Sequence, residues 1–310
     1  MADKRISFAP LEGITTYTFR QVFKRFFTGV DVFYSPFLGI NHTHKFKKRD
    51  VNEYLPHQED LIPQVLTNKV EDYIWGAGVL RDAGYREVNL NLGCPSGTVT
   101  SKGRGSGFLK DPDGLDHFLE EIFTAKERED LPEISIKTRI GFYDVSEAET
   151  LAKLYSRYPF REVIVHPRLG KDNYKGIPNM EAFRSFYENI KDSNVTYNGD
   201  VFSVTDAKRI ADSFPGINGI MLGRGLLRDP FLAARIKGEE IPPDQGRIIR
   251  DFIGALFDAY GEILSGEKDL LFKMKDILVF MLQAYPRDSK EVKAVKKARS
   301  REEIMAALSY

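Results

Sequence analysis

The chain has 310 residues, 42% hydrophobic and 29% charged, with 45 basic side chains balanced by 45 acidic ones; that length suits one large barrel with a small appendage, and the composition excludes bulk disorder. The zero net charge excludes a purely basic nucleic-acid module, so a polyanion would have to be held by local patches. No run approaches the ~20 apolar residues of a membrane-spanning helix, and a single cysteine excludes an internal disulfide framework.

Met1 to Arg5 lead straight into an apolar segment, which leaves no room for a signal peptide and, with the lone thiol, predicts a cytoplasmic location. Strands are expected over residues 6–9, 32–35, 62–66, 87–92, 134–138, 162–166, 195–198 and 219–222. Amphipathic helical patterns fall between most of them, at 70–83, 114–128, 146–158 and 204–213. Strands alternating with helices imply parallel pairing, and their apolar character implies burial on both faces. Eight such units over about 230 residues predict an α/β fold, a (β/α)8 TIM barrel. A doubly wound sheet is the competitor, and the count of eight favours closure.

After Pro230 the pattern changes. Residues 238–244 (Gly-Glu-Glu-Ile-Pro-Pro-Asp) read as a linker. Only helical patterns follow, at about 248–264, 270–284 and 291–308, with breaks at Gly266 and Pro286. The expected division is therefore a barrel over 1–240 and a small all-helical C-terminal domain over 245–310. Two basic runs, 42–49 and 287–301, could meet a polyanion, although a solvated surface explains either run equally well.

The active site of such a barrel forms at the C-terminal ends of its strands. Pro10 follows the first expected strand and Gln64 lies in the third; Asn91 and Cys94 end the fourth, and Lys137 and Arg139 the fifth. His166 and Arg168 end the sixth, Asn198-Gly199-Asp200 the seventh, and Gly223-Arg224 the eighth. An inert scaffold would not need polar groups gathered at one pole. Cys94 sits between Gly93 and Pro95 and opens a long Gly/Ser-rich segment that looks suited to fold over a ligand. Its thiol could act as a general acid, or as a nucleophile if a cation lowered its pKa. The last two strand ends resemble a phosphate grip, with glycines for close backbone approach and a guanidinium. His166 has no Cys or carboxylate at ligand spacing beside it, so no metal is expected.

Five segments in order carry a resemblance: Ala9-Pro10-Leu11-Glu12-Gly13-Ile14-Thr15, Asn91-Leu92-Gly93-Cys94-Pro95, Lys137-Thr138-Arg139-Ile140-Gly141, Asn198-Gly199-Asp200 and Met221-Leu222-Gly223-Arg224-Gly225. Together they resemble the signature set of the tRNA-dihydrouridine synthases, over roughly residues 5–235. The resemblance implies a flavoprotein oxidoreductase of tRNA processing. It implies FMN held by Pro10, Leu11, Glu12, Gln64, Lys137, His166, Asn198, Gly199, Asp200, Gly223 and Arg224, with NADPH as reductant. Cys94 matches the family's catalytic cysteine, which protonates C5 of uracil as hydride reaches C6. Asn91, Arg139 and Arg168 match substrate-side positions, and the helical tail matches the family's tRNA-binding domain. A monomer is expected. Leu11 stands where the family commonly has methionine, and Pro167 where it more often has a small residue.

Two rivals remain. One is a flavin barrel acting on a free pyrimidine, like dihydroorotate or dihydropyrimidine dehydrogenases; it would need no basic helical platform. The other is a non-catalytic RNA-binding barrel, against which Cys94, Lys137 and Arg139 speak.

Overall fold

The alternating apolar runs become ten short parallel strands in a computed structural model, which describes residues 3–40, 43–284 and 289–308. His42 of the first basic run, Arg287 and Asp288 at the start of the second, and the expected helix break at Pro286 lie outside the described residues. The strands are β1 (Arg5–Phe8), β2 (Val32–Tyr34), β3 (Leu38–Gly39), β4 (Leu61–Ile62), β5 (Gln64–Leu66), β6 (Glu87–Leu92), β7 (Glu133–Arg139), β8 (Glu162–His166), β9 (Asn194–Asn198) and β10 (Gly219–Leu222).

Their order is β3-β5-β6-β7-β8-β9-β10-β1-β2-β4. Ten strands make eight staves because two staves are split. Pro63 has no N–H to give a ladder, so the strand expected over 62–66 divides there. β4 then pairs with β2, and β5 with β6. Pro36 separates β2 from β3, which pairs with β5. The two ends of the strand order thus belong to adjoining staves, and the ring closes as a (β/α)8 barrel. β8 is buried along its whole length, as a stave wrapped by helices requires.

The helices between staves carry their own start signals. Asp111 accepts from the Gly114 N–H ahead of Pro112–Glu129, and Ser203 caps Val204–Ser213 through the Asp206 N–H. After the barrel come helices Gln245–Gly261, Glu267–Met281, Lys290–Lys297 and Arg301–Ala307. The helix expected over 291–308 is two helices, because Ser300 caps the second by accepting from the Glu303 N–H. Phe252 packs edge-on against Phe19, Phe23 and Phe27, and Tyr260 hydrogen-bonds Thr16 at 2.7 Å. The tail and the barrel therefore share one apolar core. Among the described residues no helix is long and apolar enough to cross a membrane.

Candidate active site

A chain of amides runs across three staves and ends on the cysteine. Asn89 Nδ2 donates to Ser135 Oγ at 2.9 Å, Gln64 Nε2 to Asn89 Oδ1 at 2.7 Å, and Asn91 Nδ2 to Gln64 Oε1 at 2.7 Å. Asn91 Oδ1 then accepts the backbone N–H groups of Gly93 (3.1 Å) and Cys94 (2.9 Å). Strand register makes this possible: Gln64 lies beside Asn89, and Asn89 beside Ser135. Each such bond contributes about 1 kcal/mol net, and linked bonds polarise one another. The ladder's main effect is positional, since it fixes where the chain leaves β6 and so where Cys94 sits.

The Gly/Ser-rich segment after Cys94 is no loose flap. It forms a short helix, Gly97–Thr100, and a 3-10 turn, Gly105–Lys110, which bury Val99, Phe108 and Leu109. Ser106 donates to the Cys94 carbonyl through both its N–H and its Oγ, each at 3.0 Å. Gly105 has φ +57°, and a Cβ there would stand 2.7 Å from that carbonyl. Gly105 thus packs against the Cys94 carbonyl and Gly107 against the Thr100 backbone, so the segment buries side chains that the sequence pattern gives a loop no room to bury.

At the opposite side of the barrel mouth, β9 and β10 end in a charged knot. Asp200 accepts from Arg168 Nη1 (3.0 Å) and Nη2 (2.5 Å) and from Arg224 Nη2 (2.6 Å). Two guanidinium groups against one carboxylate leave net positive charge. Asn198 Nδ2 donates to the Met221 carbonyl at 2.8 Å, which ties the two staves together. A Cβ on Gly225 would stand 2.1 Å from the Val201 carbonyl, so only glycine lets the loops meet. Net positive charge and bare glycine backbone at Gly199, Gly223 and Gly225 form a donor set that fits a phosphate.

Burial sets the protonation states between these two sides. Burial pushes the Cys94 thiol up; Glu12 adds to that effect, while the Ser96 N–H, Arg139 and Lys137 oppose it. The thiol therefore keeps its proton at neutral pH. Burial, with Arg139 second, lowers Lys137 to about 7. Burial first, then the charges of Arg139, Lys137, Arg168 and Arg224, hold His166 well below its usual value. Arg168 Nη1 lies 3.1 Å from His166 Nε2; a guanidinium has no lone pair to accept with, so Nε2 is the acceptor and the ring proton rests on Nδ1.

One cleft at the C-terminal mouth gathers nearly all the expected residues. Pro10, Leu11 and Glu12 line it from the β1 loop, and Gln64, Asn91 and Cys94 from β5 and the end of β6. Lys137, Arg139 and His166 line it from β7 and β8, joined by Asn198, Gly199, Asp200, Gly223 and Arg224. Arg168 is the exception. Its side chain is 2% exposed and bonded to Asp200, and it also donates to the carbonyls of Lys175 (3.2 Å) and Gly176 (2.7 Å). It braces the wall through these bonds, being absent from the residues that line the cleft. Sequence reasoning missed Tyr174 and Phe202, whose rings lie 5.0 Å and 5.7 Å from the Arg224 guanidinium. An aromatic set in a polar loop just past a strand end was the available signal.

A family model described as Dihydrouridine synthase (Dus) matches residues 7–304. Among curated proteins, the chain is 29% identical over 231 residues to a probable tRNA-dihydrouridine synthase of Staphylococcus epidermidis, covering 72% of this chain and 69% of that one. It is 27% identical over 281 residues to a probable tRNA-dihydrouridine synthase of Staphylococcus aureus, covering 88% and 81%. Among solved structures, an old yellow enzyme homologue from Zymomonas mobilis superposes with a TM-score of 0.52 at 12% identity, covering 79% of this chain and 94% of that one. Morphinone reductase gives 0.51 at 13% identity, covering 78% and 88%. At that identity the likeness speaks for the barrel alone.

Proposed function

The chain belongs to the dihydrouridine synthase family, and from that premise we propose that it reduces the C5–C6 bond of uridines in tRNA, with FMN as cofactor, NADPH as reductant and Cys94 as proton donor. The observation that carries this reading is the cleft itself, where a protonated thiol and a net-positive, glycine-lined pole face each other across one barrel mouth. FMN, when bound, supplies the hydride that adds to C6 of the uracil.

The chain's own residues do the rest. The Asp200–Arg224 knot and the glycine backbones around Gly199 and Gly225 suit the FMN phosphate, with Pro10, Leu11, Glu12, Gln64, Lys137 and His166 around the remainder. Cys94 holds a proton at Sγ and releases it to C5, where negative charge develops as C6 is reduced. Asn91 keeps Cys94 in place through the backbone, and Arg139, which donates to the Gly93 carbonyl at 2.8 Å, steadies the same turn. A uracil that reaches this cleft has to leave its stack, so the surrounding tRNA needs a grip elsewhere.

The region over 245–310 suits that grip as a tRNA-binding part alongside the barrel over 1–240. Helix Lys290–Lys297 buries Val292 and Val295 and turns Lys290, Lys293, Lys296 and Lys297 outward. Lys273, on the preceding helix, donates to the Gly13 carbonyl next to Glu12 at the cleft. A free pyrimidine would have no use for that basic face, which favours RNA as the substrate.

The test is single-turnover oxidation of NADPH-reduced protein by unmodified tRNA, followed by flavin absorbance. Cys94→Ala should bind FMN and accept reducing equivalents yet form dihydrouridine about 10²–10⁴-fold more slowly. Wild-type rates in that variant would remove Cys94 from the chemistry, and a protein that retains no flavin would sink the reading as a whole.

A further inference from the structure

Large apolar side chains are not scattered evenly over this surface. Nine are exposed among the described residues, and four of them, Tyr143, Val145, Tyr174 and Ile177, stand on the two loops that follow β7 and β8. These loops are stitched into one ledge: the Gly170 N–H donates to the Gly141 carbonyl at 2.9 Å and the Lys171 N–H to the Phe142 carbonyl at 3.2 Å. Between them runs a groove lined by the apolar Ile140, Val145, Leu169 and Ile177 and by the polar Asp172, Lys175 and Asn179. Ile177 is 87% exposed, an arrangement that folding alone does not reward. Lys110 adds a cation 4.0 Å from the Phe142 ring at the end of the ledge.

The groove adjoins the candidate cleft, because the loop that lends Tyr174 to the cleft lends Lys175, Gly176 and Ile177 to the groove. Arg168 forms part of its wall and, through Asp200 and His166, part of the cleft's support. Tyr174, half exposed, lines the cleft from the loop that carries Lys175 and Ile177. A substrate strand that runs on from the cleft past Tyr174 therefore reaches the groove next.

We propose that the ledge after β7 and β8 is a second base-binding site, where an unstacked nucleobase neighbouring the target uridine packs against Val145 and Ile177 while Lys175 and Lys110 lie near its phosphates. This rests on the reading of the cleft as a tRNA-reducing site and adds to it the part of the substrate strand that is held. Contact with a base face is tolerant of sequence, so the site would add affinity without choosing a base.

The experiment compares wild type with Val145→Ser/Ile177→Ser, both positions being exposed enough for the protein to fold. FMN content and tRNA-free NADPH oxidation should be unchanged, while KM for tRNA rises about tenfold and kcat stays within twofold. Hydrogen exchange should show the segments around 143–145 and 171–177 protected by tRNA in the wild type alone. An unchanged KM, or a loss confined to kcat, overturns the proposal. Failure of the wild type to reduce any uridine would instead count against the underlying function, which keeps the two apart.

Discussion

Arg168 is buried beneath the cleft wall, and that position has a measurable consequence. Its guanidinium is 2% exposed and has one anionic partner, Asp200, which is itself a quarter exposed and shared with Arg224. Removing one partner of a buried pair costs about 3–5 kcal/mol. The partial exposure of Asp200, and the carbonyls of Lys175 and Gly176 that stay bonded to Arg168, bring the expected loss for Asp200→Asn to about 2–3 kcal/mol. For a chain of this size that is a fall in Tm of roughly 4–8 °C. Arg168→Met should be milder, about 1–2 kcal/mol, because Asp200 keeps Arg224 and no charge is stranded. The double variant should recover at least about 1 kcal/mol relative to the sum of the singles. Thermal unfolding of flavin-free protein at neutral pH is the assay, since bound ligand would mask the differences. Strict additivity, or an unchanged Tm in Asp200→Asn, refutes the bracing role. A tenfold higher KM for tRNA in Arg168→Met at unchanged Tm would make Arg168 a substrate contact after all.

Other expectations follow from the same geometry. Lys137 is lowered to about 7 in the fold, against roughly 10.4 in an unfolded chain, so the unfolded state holds an extra proton across that window. The penalty for burying its charge is full below pH 7 and declines as pH rises. Lys137→Met should therefore stabilise the flavin-free protein more at pH 6 than at pH 9.5 in urea unfolding, and equal gains would contradict the assignment. Gly225→Ala drives a methyl into the Val201 carbonyl and should part the β9 and β10 loops, with FMN lost on gel filtration; full flavin retention would show that the phosphate is held elsewhere. Asn91→Ala removes the acceptor of the Cys94 N–H, so dihydrouridine formation should slow at least tenfold while FMN stays bound, and an unchanged rate would show that the amide ladder does not position the thiol.

The alternation of apolar runs and helical patterns determined an α/β fold of parallel strands, with the count of eight favouring a closed barrel over a doubly wound sheet, and the polar residues at successive strand ends pointed to the pole where the candidate cleft lies. Both are local properties: a stave wrapped by helices has to be apolar on both faces, and the groups that must reach the mouth have to stand where a strand stops. The third stave, by contrast, is broken at Pro63 where the sequence pattern leads to one continuous strand over 62–66, since a residue without an N–H cannot continue a ladder. What Asn91 and Arg168 do was not legible in this way. Each is a polar residue at or just past a strand end, yet one faces the cleft and holds Cys94 through its backbone, and the other turns behind the wall to meet Asp200, 32 residues away. The glycines after Cys94 were ambiguous for the same reason, because a glycine that frees a loop and one that lets two backbones touch are identical in sequence. Tertiary structure alone decided between these outcomes: the direction of a side chain leaving a strand end depends on which distant charge or carbonyl the closed barrel brings within hydrogen-bonding distance.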